Sequence, residues 1–210
     1  STTPLQGVLV VIYDYKELKS IINSSSSFHP LDLMPVKREQ FSPLTRDELT
    51  PLWSPTNLQN KLGLPKLLVK DDSTLPTGSL KDRASMLVAA YAKREGVEQI
   101  VLASTGNAAS SMAGIGASQG LKIVIFLPKA APTSKLVQSR QYGAKVTLVD
   151  GNYDLAYEHS YQYYLKHGGI CRNTAMNPMT IEGKKSVSLE IVKQLGGKSP
   201  DYIFVPTGDG

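Results

Sequence analysis

The sequence has little of what builds disulfide-rich, zinc-binding or membrane proteins. Its 210 residues include one cysteine, Cys171, so no internal disulfide can form, and no Cys or His spacing offers a metal cage. No apolar run reaches the roughly 18 to 20 residues that cross a bilayer, and the first residues lack the basic start and apolar core of a signal peptide. We therefore expect a cytoplasmic protein without a metal site.

The glycine patterns of nucleotide binding are also absent, since neither G-x-G-x-x-G nor G-x-x-x-x-G-K-[ST] occurs. The net charge is +5, but Lys and Arg are scattered among acidic residues and no nucleic-acid motif accompanies them. This excludes nucleic acid as the expected partner. What remains is a chain with 41% hydrophobic and 20% charged residues, the balance of a globular protein with a substantial core.

The first 55 residues predict little regular structure. A β-branched run predicts a strand at 7–13, followed by a helix at 16–22. Four consecutive serines at 24–27 are typical of a linker. Five prolines between residues 28 and 55 exclude long helices and strands, so we expect an extended arm over the core.

From residue 67 onward, strand-like runs alternate with helical segments. Strands are predicted at 67–69, 100–103, 123–127, 146–149 and 202–205. Helices are predicted at 80–94, 108–119, 134–142, 155–166 and 182–195. The alternation predicts an α/β fold with a parallel sheet flanked by helices, because parallel strands need crossover connections. Ligands of such sheets bind beyond the carboxyl ends of the strands.

The first candidate for chemistry is Lys81, in the segment Pro76-Thr77-Gly78-Ser79-Leu80-Lys81-Asp82-Arg83. Ser79 and Asp82 have the spacing of a capping box, which predicts a helix that begins at Ser79 with Lys81 in its first turn. The helix dipole disfavours a cation there and favours a nucleophilic amine, as a Schiff base requires. A lone lysine is more often an ordinary solvated side chain.

The second candidate is the turn Ser104-Thr105-Gly106-Asn107, between the strand predicted at 100–103 and the next helix. Hydroxyls, a glycine and open N–H groups at a helix start suit a carboxylate or a phosphate. A plain capping turn explains Ser104 and Thr105 equally well. It does not explain Asn107 beside them at the carboxyl end of a strand.

The third candidate is the run Thr207, Gly208, Asp209 and Gly210, after the strand predicted at 202–205. Its glycines allow the backbone to curl around a phosphate, although a tight turn explains the run as well. A domain rarely ends on such a turn. We therefore expect the chain to be part of a longer protein.

Together, and in this order, the three segments resemble the fold type II family of pyridoxal 5′-phosphate enzymes, which is tryptophan synthase β-like, and within it the threonine synthases. The resemblance spans nearly the whole chain. Besides the segments already given, it is carried by Tyr13-Asp14-Tyr15, Thr50-Pro51-Leu52, Gly143-Ala144, Val149-Asp150-Gly151-Asn152-Tyr153-Asp154, Asn177-Pro178 and Glu182-Gly183-Lys184-Lys185.

The resemblance implies a lyase that converts O-phospho-L-homoserine and water to L-threonine and phosphate. Lys81 would be the catalytic residue, holding pyridoxal 5′-phosphate as an internal aldimine and then moving protons as general base and acid. Asn107 would hydrogen-bond the phenolic oxygen of the cofactor. The substrate carboxylate would be bound by Ser104, Thr105 and Gly106. The cofactor-phosphate turn would begin with Thr207, Gly208, Asp209 and Gly210.

The resemblance also implies a division of the chain. Residues 1–78 would form an arm and the start of a larger cofactor domain, 79–180 a smaller α/β domain, and 181–210 a return to the larger domain, truncated at the phosphate turn. Many relatives are dimers, so a homodimer is one assembly to test.

One departure from the family concerns the substrate phosphate. A basic residue is expected near Thr180, and basic candidates elsewhere are Lys135, Arg140, Lys184 and Lys185. Two alternatives therefore stay open. One is a serine/threonine dehydratase or another β-elimination or β-replacement enzyme on the same site. The other is a non-catalytic α/β binding module in which Lys81 never bonds a cofactor.

Overall fold

The computed structural model describes residues 9–24, 28–42, 49–173 and 176–207. Helix α1 spans Tyr15–Ser24, which confirms the helix predicted at 16–22. The strand predicted at 7–13 is wrong for its described part, since residues 9–14 form no regular element. Leu9, Val10 and Ile12 are exposed there, and no described strand lies beside them to complete a ladder.

The arm is confirmed over its described residues. It contains two short 3₁₀ helices, Pro30–Leu33 and Arg38–Gln40, and Leu33, Val36 and Phe41 anchor it in the core. A small antiparallel ribbon follows, in which β1 (Leu52–Trp53) pairs with β2 (Val69–Lys70). Helix α2 (Thr56–Leu62) connects the two strands, and the sequence pattern did not reveal it.

The remaining elements alternate as predicted. In chain order they are α3 (Lys81–Arg94), β3 (Gln99–Ala103), α4 (Asn107–Ser118), β4 (Lys122–Pro128), α5 (Thr133–Gln141), β5 (Lys145–Val149), α6 (Tyr153–His167), β6 (Ile170–Cys171) and α7 (Met179–Gln194). Strands β3 to β6 form a parallel sheet of order β5-β4-β3-β6. The predicted α/β fold is confirmed.

Alternate residues of the central strands face opposite sides of the sheet. On one side Ile100, Leu102 and Ile125 belong to one core cluster with buried residues of α3, α4 and α7. On the other side Val101, Val124 and Phe126 pack against α6. Helices on both faces thus bury the sheet, and the carboxyl ends of its strands stay open to loops.

The strand predicted at 202–205 is also wrong. Residues 202–205 form no strand, and their side chains are 60% exposed at Ile203 and 91% at Phe204. The run is apolar enough for a strand, but no described strand lies beside it to accept its hydrogen bonds. Over the described residues, none of the helices has both the length and the apolar composition to cross a membrane.

Candidate active site

The helix that carries Lys81 begins two residues later than predicted. Helix α3 starts at Lys81 itself, and the capping box at Ser79 is wrong. The Asp82 carboxylate is hydrogen-bonded by Thr77 instead. The Thr77 backbone N–H donates to Asp82 Oδ2 at 2.6 Å, and the Thr77 hydroxyl donates to Asp82 Oδ1. The Oγ of Ser79 is buried without a hydrogen-bond partner among the described residues. Lys81 stands half-buried in the first turn, as predicted.

The turn after β3 has the predicted position at the carboxyl end of the sheet. Ser104, Thr105 and Gly106 are half-buried, and Asn107 is the exposed first residue of α4. The Gly106 N–H donates to Ser104 Oγ at 3.3 Å. The first N–H groups of a helix have no partner within the helix, so this turn can receive an anion.

Two contacts bring the starts of α3 and α4 together. Ser111 Oγ donates to Ser85 Oγ at 2.7 Å. Ser111 lies one helical turn after Asn107 in α4, and Ser85 lies one turn after Lys81 in α3. The Thr77 side chain lies over Gly114 of α4, where a Cβ would come 2.6 Å from Thr77 Cγ2. The structure therefore assembles the lysine-bearing turn and the anion turn on one pair of helices.

Side chains from segments distant in sequence form hydrogen bonds with the backbone at the end of β3. Asn173 Oδ1 accepts from the Ala103 N–H at 2.9 Å, and Asn173 Nδ2 donates to Ser160 Oγ at 2.9 Å. Tyr153 Oη donates to the Ala103 carbonyl at 3.3 Å. Sequence reasoning missed Asn173 because it follows β6, a strand of two residues that is too short for a period-two pattern.

Helix α7 crosses the start of α3 closely. A Cβ on Gly183 would lie 2.4 Å from the Arg83 carbonyl oxygen, so only glycine allows this approach. The next residue of α7 is Lys184. Burial lowers the pKa of Lys184, and the positive charges of Lys81 and Arg172 lower it further.

The other basic candidates are placed differently. Lys185 Nζ pairs with Glu182 Oε2 at 2.6 Å and lies 3.9 Å from the centre of the Tyr13 ring. Lys135 and Arg140 belong to α5. Thr180 is fully buried, and its hydroxyl donates to the Asn177 carbonyl at 2.8 Å. Lys184 differs from Lys185 in that its pKa is lowered by burial and by the nearby positive charges, whereas Lys185 is paired with Glu182.

Arg172 is the functional candidate that the sequence did not reveal. It follows β6 directly and is only 3% exposed. Its Nε has no hydrogen-bond partner among the described residues. Burial lowers the pKa of Arg172 to about 10, against the opposing charge of Tyr153. A buried guanidinium without a full set of partners is rare in a folded protein.

The third predicted turn lies largely outside the described residues. Thr207 is exposed and belongs to no strand, so its expected place at a strand end is wrong. Gly208, Asp209 and Gly210 lie outside the described residues. Their role, like that of the other assigned site residues, stays a prediction. Over the described residues, no three His, Cys, Asp or Glu side chains are grouped to hold a metal ion.

A half-buried amine beside an anion turn at the carboxyl edge of a parallel sheet is an arrangement that suits a ligand with a carbonyl group and an anionic group. The family model described as pyridoxal-phosphate dependent enzyme matches residues 45–210. The chain belongs to this family, which confirms pyridoxal phosphate as the expected cofactor.

The chain is also similar in sequence to curated proteins and in structure to solved ones. The threonine synthase of Methanocaldococcus jannaschii is 36% identical over 97% of this chain and 52% of its own length. That of Methanosarcina acetivorans is 35% identical over 97% and 51%. The structure of processed threonine deaminase isoform 2 from Solanum lycopersicum superposes with a TM-score of 0.67 at 21% identity, covering 91% of this chain and 54% of that one, which shows a similar fold. The chain spans about half the length of the curated relatives it matches.

The described residues fit this cofactor. Lys81 supplies a primary amine for its aldehyde, and the exposed amide of Asn107 can donate to a phenolic oxygen. Ser79 Oγ, two residues before the amine, is buried and unpartnered among the described residues, so a polar group is available beside it.

Proposed function

We propose that this protein is a threonine synthase that converts O-phospho-L-homoserine and water to L-threonine and inorganic phosphate. The observation that carries the proposal is the junction of the Lys81 turn with the 104–107 turn, made by the Ser85–Ser111 hydrogen bond and the Thr77–Gly114 contact. It is supported by threonine synthases at 35% to 36% identity over nearly the whole chain.

Each residue has a physical role in this proposal. Lys81 binds the cofactor through its amine and, once released, takes a proton from the α-carbon of the substrate. The bound cofactor supplies electron withdrawal from that carbon. Ser104, Thr105 and Gly106 hold the substrate carboxylate, which orients the α-hydrogen toward Lys81. Asn107 holds the cofactor ring by a hydrogen bond to its phenolic oxygen, and Thr207, Gly208, Asp209 and Gly210 begin the turn around its phosphate.

The overall reaction balances without an oxidant. The Cγ–O bond of the substrate breaks and its electron pair leaves with the phosphate, while Cβ gives up one proton. Water then supplies the hydroxyl on Cβ, Cγ gains a proton, and the other proton of the water goes to the phosphate. The proposal includes a cytoplasmic location and the division into 1–78, 79–180 and 181–210, with the site between the smaller domain and the larger one.

A serine/threonine dehydratase is the second candidate, and Thr180 favours it. This residue is neutral and fully buried where a synthase would be expected to present a basic side chain. A dehydratase releases ammonia and a keto acid, whereas a threonine synthase releases phosphate.

The test uses the complete natural protein with pyridoxal phosphate added. We expect a visible absorbance band, and phosphate release from O-phospho-L-homoserine coupled to threonine formation. Lys81→Ala should abolish the band and lower turnover by about 10⁴-fold or more, because it removes both the covalent link and the proton carrier. Lys93→Ala, an exposed lysine in the last turn of α3, is the control.

Two results would contradict the proposal. Ammonia and keto acid from threonine or serine, with no phosphate release, would assign the dehydratase. A complete protein that forms no band would leave the binding module.

A further inference from the structure

The side chain of Thr77 is held in one orientation by the first turn of α3. Its backbone N–H donates to Asp82 Oδ2 at 2.6 Å, and its hydroxyl donates to Asp82 Oδ1. Asp82 is fully buried, so breaking either bond would leave a buried carboxylate oxygen without that donor. The Thr77 methyl shares its carbon with the hydroxyl, so the methyl cannot turn away while the hydroxyl stays bonded. The methyl is therefore fixed relative to α3.

That methyl fills the space beside Gly114 of α4. A Cβ on Gly114 would come 2.6 Å from Thr77 Cγ2, which is too close for two carbon atoms. The same Cβ would come 3.3 Å from Cε2 of Tyr142, directly after α5. The interior is close-packed at this point and has room for one methyl group, which Thr77 supplies.

The contact sets the spacing of the two segments that carry the chemistry. Thr77 lies in the loop that leads into α3 and Lys81, and Gly114 lies about two helical turns after Asn107 in α4. A helix bends little over two turns, so pushing α4 away at Gly114 moves the 104–107 turn relative to Lys81. Proton transfer needs an amine within hydrogen-bond reach, and a misplacement of about 1 Å can cost about a hundredfold in rate.

We propose that Thr77 and Gly114 are a pair of positioning residues that set the distance between the Lys81 amine and a substrate held at the 104–107 turn. The inference rests on the proposed function and deepens it, because a contact remote from the substrate then controls the rate. One methyl group is the spacer between the loop before α3 and α4. A second methyl widens the gap, and its removal loosens it. Either residue can carry the single methyl.

The experiment uses the complete natural protein and moves the methyl from one residue to the other. Thr77→Ser removes the methyl and keeps both hydrogen bonds, Gly114→Ala adds a second methyl, and the double variant carries one methyl on the opposite side. The control for the rescue is Gly116→Ala, in the same helix, where a Cβ would come 2.5 Å from a side chain of β4 instead. Thr56→Ser, at the exposed start of α2, is the control for loss of a methyl.

Three readouts separate the position of Lys81 from the stability of the fold. The first is kcat for O-phospho-L-homoserine in the protein loaded with cofactor. The second is exchange of the α-hydrogen of L-alanine with deuterated solvent, which needs the Lys81 amine but no phosphate group. The third is the free energy of unfolding of the protein without cofactor, which reports the packing of the two residues alone.

We expect Gly114→Ala to lower kcat and the exchange rate by about ten- to hundredfold, and Thr77→Ser to lower them by about three- to tenfold. The double variant should return both rates to within about threefold of the wild type, and its loss of stability should be smaller than the sum of the single losses. Thr77→Ser should not rescue Gly116→Ala, and Thr56→Ser should match the wild type.

Wild-type rates in Gly114→Ala would overturn the inference. A double variant that regains stability but not rate would also overturn it, because the contact is then structural only. If Gly114→Ala does not fold, the double variant decides, and slow exchange or failure to fold in that variant rejects the inference. A wild type that releases no phosphate refutes the proposed function, while the exchange rates still test the spacing. A wild type that shows neither phosphate release nor exchange rejects both.

Discussion

Two buried arginines in this molecule have opposite surroundings. Arg83, two residues after Lys81, is 4% exposed, and Arg172 is 3% exposed. All three nitrogens of the Arg83 guanidinium donate hydrogen bonds, with Asp72 at 2.7 Å and Glu190 at 2.6 Å among the acceptors. Nε of Arg172 donates to no described residue. Equal burial therefore does not mean equal stabilisation.

The pKa values of the two arginines shift in opposite directions. Burial lowers the pKa of Arg83, but hydrogen bonds and attraction from Asp72 and Glu190 outweigh it, so the net pKa is raised. Burial lowers the pKa of Arg172 to about 10, and only Tyr153 opposes it among the described residues. Arg83 belongs to a closed network that joins α3 and α7 to the arm. Arg172 is equally buried but its Nε has no described acceptor, and the two arginines can be distinguished by experiment.

The largest expected effect is on stability. Arg83→Met should lower the free energy of unfolding by about 3 to 5 kcal/mol, because it leaves buried carboxylates unpaired. Arg172→Met should change it by about 1 kcal/mol or less, or raise it, because it removes an incompletely paired charge. Urea unfolding of the complete natural protein without phosphate measures both. Equal losses from the two substitutions would refute the distinction between them.

The next largest effect concerns Glu190, the carboxylate that pairs with Arg83, and is a dependence of stability on pH. Burial raises the pKa of Glu190, but hydrogen bonds and charge from Arg83 and Lys70 outweigh this, so its net pKa lies below the ordinary 4.5. A depressed carboxyl pKa contributes stability that is present above pH 4.5 and is lost as the pH falls through the folded-state value.

Glu190→Gln should therefore be less stable than the wild type at pH 7, by about 3 kcal/mol. That difference should shrink steadily below pH 4.5, as the wild-type carboxylate takes up its proton. Unfolding curves from pH 7 to pH 3 test the sign, and Glu98→Gln, from an exposed pair, is the control. A difference that does not change with pH would show that Glu190 is not the titrating group.

A smaller effect is expected where α7 crosses α3. Gly183→Ala should destabilise the protein by about 1 to 3 kcal/mol, because the new methyl group meets the Arg83 carbonyl oxygen and pushes the helices apart. Ser188→Ala, at an exposed position of the same helix, is the control. Wild-type stability in Gly183→Ala would show that the two helices can separate without cost.

The smallest effect concerns a lysine whose charge is already neutralised. Tyr13 Oη donates to Glu182 Oε2 at 2.6 Å, and Glu182 pairs with Lys185. Tyr13→Phe should lower the free energy of unfolding by about 1 kcal/mol, because the bond is half-buried. It should leave KM and kcat unchanged, because Tyr13 contacts Glu182 and Lys185 rather than Lys81 or the 104–107 turn. A rise in KM would contradict this placement.

The sequence was a good guide wherever a local pattern sets the structure. Helix and strand periodicity located α3 to α7 and β3 to β5 to within a few residues, because their apolar residues lie on one face or in one buried run. It failed at 202–205, where strand composition is not matched by a described neighbour, and at β6, which has two residues. Pairing across a sheet is not a local property.

The capping box at Ser79 failed for a related reason. Ser79 and Asp82 have the correct spacing, but Thr77 offers the Asp82 carboxylate both an N–H and a hydroxyl from outside the helix. A capping-box rule considers only the spacing of Ser79 and Asp82 in the sequence. In the folded chain, every donor near the Asp82 carboxylate can bond it.

The sequence by itself determined the order of elements, the position of Lys81 at a helix start and the turn at 104–107, because these depend on residues adjacent in the chain. Tertiary structure decided that Arg83 is neutralised while Nε of Arg172 is left without a described partner, and that Lys185 pairs with Glu182. The reason is that burial and hydrogen-bond partners come from segments far apart in sequence, and charges acquire their energies only once those segments have packed.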